Sequence, residues 1–365
     1  MRRPGHDAHD VAHREAGAPD ARPTGDHLGI GGITSLGQLA NVKGVVVEAV
    51  PRSGAAVLNA DDAHVYRMGR HCAGRVVLFS MATEKGEDGF DRVDGHTSRG
   101  NAAFCLEPSA EGELIVLRLG SRKMPVLYTH LIPATFGGRA RMNVANALAA
   151  AAAAWAAGAH LHDIRQGLRT FSTSFFQAPG RLNLLHVGGV RVVIDYCHNV
   201  DGMRQLADFV ERMMTEPQTR AGRIGTKGPG ARAGRAIGVL GIPGDRRNED
   251  QRDYGGIAAG AFDEIIVRED KNLRGRAPGE TASNVIEGVR AAKAAGTARA
   301  TRADKVLEEM TAVRTALRRA IPGDLIVCCV DDAIGVYREA MAAGGQAGGS
   351  RTAFADPGEL EAPEG

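Results

Sequence analysis

Side chains capable of chemistry gather in three short runs. The first is "VRVVIDYCHNVDGM" (190–203), where four apolar strand-formers lead into Asp195, Tyr196, Cys197, His198 and Asn199. The second, "GIPGDRRNED" (241–250), sets Gly241 and Gly244 beside Asp245, Arg246 and Arg247. The third, "REDKNLRGRAPGE" (268–280), supplies Glu269, Asp270, Lys271, Arg274 and Arg276. Several cations in one cleft suit an anionic ligand, and the planar arginine fork suits phosphate or carboxylate. On composition alone the second run also reads as a solvated turn, and the third as a solvated charged face.

Two sharper chemistries can be weighed. Cys197 beside His198 invites a thiol nucleophile with its base. Adjacent residues on an extended segment point to opposite faces, which argues against that pair. His198 as a metal ligand lacks a second His or Cys at ligand spacing. The phosphate-cradling pattern G-x-x-x-x-G-K-[ST] does not occur. "GRIGTKGPG" carries Gly and Lys at the wrong spacing, with no Ser or Thr after Lys227.

The elements that must position these runs alternate. Strand "VRVVID" leads to a helix over 201–214, strand "AIGVLG" to a helix over 248–261, and strand "DEIIVRE" to a helix over 279–294. A helix over 303–320, strand "DLIVCCV" and a last helix follow. Strands separated by helices imply a mainly parallel sheet covered on both faces, with ligands outside the strands' carboxyl ends. All three runs then share one edge. Upstream, "SLGQLANVK" reads as a short helix, and "GAAVLNADD" and "RVVLFS" as strands. "NAAFCLEP", "ELIVLRL" and "MPVLYTHL" read as antiparallel strands. "RMNVANALAAAAAAWAAG" and "LHDIRQGLRTF" are helices, the first stopped by Gly158. "QAPGRLNLLHV" breaks the pattern at Pro179-Gly180 and opens a new unit.

With 365 residues, two domains are expected. The polar lead (1–25), the basic Gly-rich insert (219–235) and the Gly/Ala/Glu-rich tail (342–365) read as unordered. A net charge of +2 gives no strong nucleic-acid footprint. No run approaches the roughly 18 apolar residues of a membrane span, and the amino terminus has no apolar core of a signal peptide. Five cysteines, an odd number with no C-x-x-C pair, favour neither disulfides nor structural zinc. A reducing, cytoplasmic setting is expected.

The motifs together resemble the Mur ligase family, and within it the cyanophycin synthetase branch. "DHLGIGGITSLGQLANVKGVVVEAV", "AVLNADD", "ATFGGRARMNVANALAAAAAAWAAG", "APGRLNLLHV", "VVIDYCHNVDGMRQLADF", "GIPGDRRNEDQRDYG" and "FDEIIVREDKNLRGRAPGE" fall in that family's order over about 26–340. The resemblance implies an α/β fold: part of the family's central ATP-binding domain over 26–177, then a Rossmann-like doubly wound carboxyl-terminal domain over 178–341. It implies an ATP- and Mg²⁺-dependent ligase that joins a carboxylate to an amine through an acyl phosphate. In this branch arginine is added to the side-chain carboxylates of an aspartate polymer.

By the same resemblance, His27 of "DHLG" stands at the magnesium site, and Lys43 where these ligases often carry a carbamylated lysine. Asn143 and Asn146 of "NVAN" stand where adenine is contacted, and Arg181 at the domain junction near the nucleotide. Asp195, His198 and Asn199 belong to the motif that closes over nucleotide and phosphate. The loop with Glu269, Asp270, Arg274 and Arg276, next to Asp245 and Arg246, stands where relatives choose the amino acid. There Glu269 and Asp270 are expected to hold a guanidinium, and the arginines carboxylates.

Three departures shape the expectation. The family's Gly-rich ATP loop and its acidic magnesium ligand would lie upstream of "DHLG". Its small residue in "DY-[AG]-HN" is here Cys197, and its following Pro is Val200. Missing central strands should leave an open sheet edge and exposed apolar surface. The chain then reads as a fragment, one half of a split gene or a degenerate copy, and its expected partners are a homo-oligomer or a sister chain carrying the phosphate loop and an ATP-grasp part. The alternative is a non-catalytic remnant or split subunit that binds nucleotide, an acidic polymer or a sister ligase chain.

Overall fold

A computed structural model describes residues 32–215 and 234–347 of the chain. The expected unordered lead, His27 and nearly all of the basic insert lie outside the described residues.

The first half builds one sheet. Helix α1 (Leu36–Glu48) starts in a reciprocal cap, in which the Ser35 hydroxyl accepts from the Gln38 amide and the Gln38 side chain reaches back. Strand β1 (Ala55–Asn59), helix α2 (Ala63–Met68) capped by Asp62, strand β2 (Arg75–Ser80) and helix α3 (Asp88–Thr97) follow. Then come β3 (Ala102–Ser109), β4 (Gly112–Leu119) and β5 (Arg122–Tyr128), and helices α4 (Arg141–Ala156) and α5 (Leu161–Thr170). The strand order is β1-β2-β3-β4-β5, parallel through β3 and antiparallel thereafter. The period of two divides its core. Phe79, Phe104 and Leu106 face α4 and α5, while Leu58, Leu78 and Cys105 face α1, α2 and α3.

The β1 end of this sheet is open: among the described residues no strand pairs with its outer edge. Nearby in the chain, α1 exposes Val42 (59%), Val45 (59%) and Val46 (42%).

The second half builds a six-stranded sheet. Its strands are β6 (Asn183–Val187), β7 (Val190–Asp195), β8 (Ala236–Leu240), β9 (Glu264–Val267), β10 (Arg302–Lys305) and β11 (Leu325–Cys329), in the order β10-β9-β8-β11-β7-β6. Only β6 runs antiparallel. Helices α6 (Val200–Met214), α7 (Asn248–Ala261) and α8 (Glu280–Ala294) cover one face, and α9 (Glu309–Arg319) and α10 (Ala333–Ala347) the other. Alternate residues of β11 serve the two faces, Leu325, Val327 and Cys329 against Ile326, Cys328 and Val330. Helices α7 and α8 touch backbone to backbone. A Cβ on Gly255 would lie 2.0 Å from the Val285 carbonyl, and one on Gly288 1.9 Å from that of Arg252.

Two readings of the sequence need correction, the helix over 303–320 and the start of the tail. The helix expected over 303–320 starts only at Glu309, because Ala303–Lys305 pair with Ile265–Val267 as the edge strand β10. "NLLHV", in the unit that opens at Pro179-Gly180, is strand β6, which closes the opposite edge. Helix α10 runs to Ala347, into the stretch expected as tail.

Candidate functional site

The strand-end run of β7 forms a tight, internally satisfied turn. Asp195 Oδ1 accepts the Cys197 amide at 2.7 Å, and Oδ2 accepts the Leu182 amide at 3.0 Å. Asn199 is the amino-terminal cap of α6, its Oδ1 accepting the Gly202 amide at 2.7 Å. Val200 therefore takes the first helical position, where proline is favoured but not needed. The cap explains why the turn forms without the family's Pro. Tyr196 turns outward. The Arg181 guanidinium lies 5.6 Å from its ring centroid, and the His198 ring 4.9 Å. His198 Nδ1 stands 3.0 Å from the Tyr196 carbonyl.

The junction that carries Arg181 is held from both sides. Asn183 Oδ1 accepts the Gly180 amide at 2.6 Å, while its amide donates to the Thr173 and Ala178 carbonyls. Leu182 takes φ +48°, strained for a leucine, and its amide is the one Asp195 receives.

Across the junction stands α4. Asn143 donates to the Ala134 carbonyl at 2.7 Å, and Asn146 donates to Asn143 Oδ1 at 3.3 Å. One helical turn apart, the two amides share a face. The halves meet through the Phe136 ring, edge-on to Phe209 at 5.3 Å between centroids.

Between them lies a cleft of about 720 Å³. Asn143 and Asn146 line it from α4 above an alanine floor, with Arg181, Asp195, Tyr196, Cys197, His198 and Asn199 opposite. The first two turns of α6 reach it through Asp201, Gly202 and Gln205. The structure thus brings together every residue expected to contact nucleotide. Lys43, half-buried on α1, is not among the lining residues. The size suits a nucleoside-sized ligand. The amino end of α6 adds the positive potential that favours phosphate.

The electrostatics argue against a thiol mechanism. The thiol of Cys329, then burial, push the Cys197 thiol well up, and it carries no nucleophile. Burial also raises the Asp195 carboxyl, opposed by the Leu182 amide and Arg181.

A second group sits at the carboxyl ends of β8, β9 and β11. Asp245 is shared by Arg246 at 3.0 Å and Arg274 at 2.7 Å. Arg276 donates to the Gly244 and Arg246 carbonyls and pairs with Glu280. Glu269 is buried, and both its oxygens are committed, one to the Gly279 amide at 2.8 Å and one to the Ala282 amide at 2.9 Å. It caps α8. Asp270 does meet a guanidinium, but that of Arg268 in the same chain. Burial raises the Asp270 carboxyl, Arg268 lowers it and Asp331 adds to the rise.

Sequence reasoning passed over Tyr196, Arg268 and Asp331. The first had a signal, an aromatic inside the motif. The other two are charged residues among other charges just past strands, indistinguishable from solvated ends until the strand order is known. Among the described residues no three His, Cys, Asp or Glu side chains converge as a metal site. Nor is any described helix long and apolar enough to cross a membrane.

The doubly wound sheet meets a second α/β body across a cleft at the carboxyl end of β7. Residues 180–329 match the family model for the Mur ligase glutamate ligase domain, and the chain belongs to the Mur ligase family. Its curated relatives include the cyanophycin synthetase of Crocosphaera subtropica, 37% identical over 302 residues, which covers 83% of this chain and 31% of that protein. That of Synechocystis is 40% identical over 264 residues, 72% of this chain and 27% of the relative. The chain thus spans less than a third of these relatives' length. Among solved structures, a murein peptide ligase from Psychrobacter arcticus has the same fold at TM-score 0.52 and 15% identity, over 84% of this chain and 54% of that one. E. coli FolC, solved with DHPP and ADP, gives 0.51 and 15%, over 83% and 56%.

Proposed function

We propose that this chain is part of an ATP-dependent ligase that adds arginine to the side-chain carboxylates of an aspartate polymer through an acyl phosphate. The observation that carries the reading is the junction cleft, where Asn143 and Asn146 face Arg181, Tyr196 and His198 across a nucleoside-sized space. Identity to cyanophycin synthetases over most of the chain supports the substrate class.

ATP supplies the phosphoryl group that activates the carboxylate. The chain's own residues hold and orient. Asn143 and Asn146 offer amide donors and acceptors matching the edge of a purine. Tyr196 offers a ring face steadied by Arg181 and His198. Arg181 and the amino end of α6 place fixed positive charge where phosphate oxygens would gather, stabilising charge without reorganisation. Asp195 keeps this turn tied to the hinge. A magnesium ion has no assembled ligand set among the described residues, and no step is assigned to it.

A second reading has its own observation. Among the described residues no strand pairs with the outer edge of β1, and with the exposed valines of α1 this suits a subunit that works with a sister chain or a second copy. Arginine-dependent ADP release by this chain, alone and with the product of the upstream reading frame, separates the two. Release by the chain alone supports the first reading without a partner, and release only with the sister product supports both a ligase role and the split-subunit reading. None in either case refutes a ligase role.

A further inference from the structure

We infer that Arg268 is the positioning residue of the amino-acid pocket, its buried guanidinium setting Asp270 and Asp331 where the cationic group of the incoming amino acid is met. The inference rests on the ligase reading above and names the group that shapes its acceptor side.

Arg268 follows β9 and is 3% exposed. Its Nε and Nη2 donate to the Cys329 carbonyl at 3.1 and 2.9 Å, fixing it to the end of β11. Its Nη1 meets Asp270 on its own loop and Asp331 beyond β11, the latter at 3.3 Å. Glu309, at the start of α9, lies 3.4 Å from Nε. The end of β8 lies flat against the group: a Cβ on Gly241 would sit 2.5 Å from Nε, so only glycine fits there. One side chain thus meets the carboxyl ends of three adjacent strands.

The network is over-determined around Asp331. Glu309 accepts the Asp331 and Asp332 amides at 2.9 and 3.0 Å, so the backbone of that turn is fixed by the carboxylate that Arg268 faces. The charges do not balance. One cation faces the carboxylates of Asp270, Glu309 and Asp331, leaving a surplus of negative charge. Burial works against the charge of Arg268, but Asp270, Glu309 and Asp331 outweigh it and hold its pKa above the usual guanidinium range.

A purely structural ion pair would close on itself. Here Asp331 keeps 43% of its side chain exposed, so the surplus opens to the strand edge. The adjoining loops bring Arg246 and Arg274 to that edge, both paired with Asp245. An amino acid with a carboxylate and a basic side chain complements both signs.

The test is calorimetric titration of the full chain with L-arginine in the presence of a non-hydrolysable ATP analogue, and separately with the analogue alone. The variants are Arg268→Met, Arg268→Lys and Asp331→Asn, the last removing only the charge at the exposed end of the network. The inference predicts tenfold or greater loss of arginine affinity in Arg268→Met and Asp331→Asn. Arg268→Lys should recover part of it, and analogue affinity should stay within twofold throughout. Unchanged arginine affinity in Asp331→Asn and Arg268→Lys overturns the inference alone. So does a parallel fall in analogue affinity. A wild-type chain that binds the analogue but no arginine overturns the ligase reading and the inference with it.

Discussion

The Leu182 amide donates to Asp195 Oδ2 at 3.0 Å, so the carboxylate that ends β7 also pins the hinge leading into β6. Asp195 sits in the cleft, yet both its oxygens serve backbone amides. Its part in the site is to hold the hinge and the Tyr196–Asn199 turn in one arrangement.

Asp195→Asn keeps one acceptor oxygen and strands one buried amide, a loss of about 1–3 kcal/mol. Chemical denaturation should show it, and affinity for an ATP analogue should fall with it. The pH profile gives a sharper check. The folded-state carboxyl is raised from its ordinary 3.8, so the folded state keeps its proton to higher pH than the unfolded chain. This group's contribution is then fullest in acid and declines as pH rises through the raised value. Asp195→Asn should remove that decline from the stability-versus-pH curve. An unchanged slope would refute the assignment.

Glu269→Gln should behave as a lost helix cap, not as a lost ligand. About 1–2 kcal/mol of stability should go, since two amides of α8 lose an ionised acceptor. The melting temperature should drop by several degrees while arginine affinity stays within twofold. A large affinity loss at unchanged stability would return Glu269 to the pocket.

Tyr196→Phe keeps the ring beside Arg181 and His198, and Tyr196→Ala removes it. Base stacking on an aromatic is worth about 1–3 kcal/mol. Analogue affinity should fall by roughly five- to hundredfold in the alanine variant and stay near wild type with phenylalanine. Fluorescence titration reads both. Equal losses would mean the hydroxyl, not the ring face, matters.

Thiol alkylation tests the reading of Cys197. Cys72 is the half-buried member of five, and Cys105, Cys197, Cys328 and Cys329 are buried. Burial lifts the Cys105 thiol to about 11, which starves it of thiolate at neutral pH. Iodoacetamide at pH 8 should modify Cys72 first in the native chain, and all five only after unfolding. Rapid labelling of Cys197 would revive the nucleophile that its environment argues against.

How much of this was legible follows from how local each signal is. Helix α7, with Glu249 and Asp250 in its first turn, is read correctly from sequence at both ends. The β7 motif and the NVAN face are local as well, and they meet across the cleft. Edge strands are another matter. Ala303–Lys305 become β10 only because β9 lies beside them, a contact that no local pattern encodes. Helix α3 has a polar sequence with two glycines, and no element is assigned to it from sequence alone. Gly89 is required there, because a Cβ would lie 1.9 Å from Asp61 Oδ1. Glu269 was unreadable as a cap because the amides it accepts lie 10 and 13 residues further on.

The loop after β9 is anchored at both feet. Glu269 binds the start of α8, and Arg276 clasps the Gly244 and Arg246 carbonyls. Lys271 to Arg274 form a span between those anchors. Substitutions at Lys271 to Leu273 leave both anchors in place, so on the proposed reading a change of amino-acid preference there costs little in folding. A library confined to those three positions is the natural place to search for altered specificity.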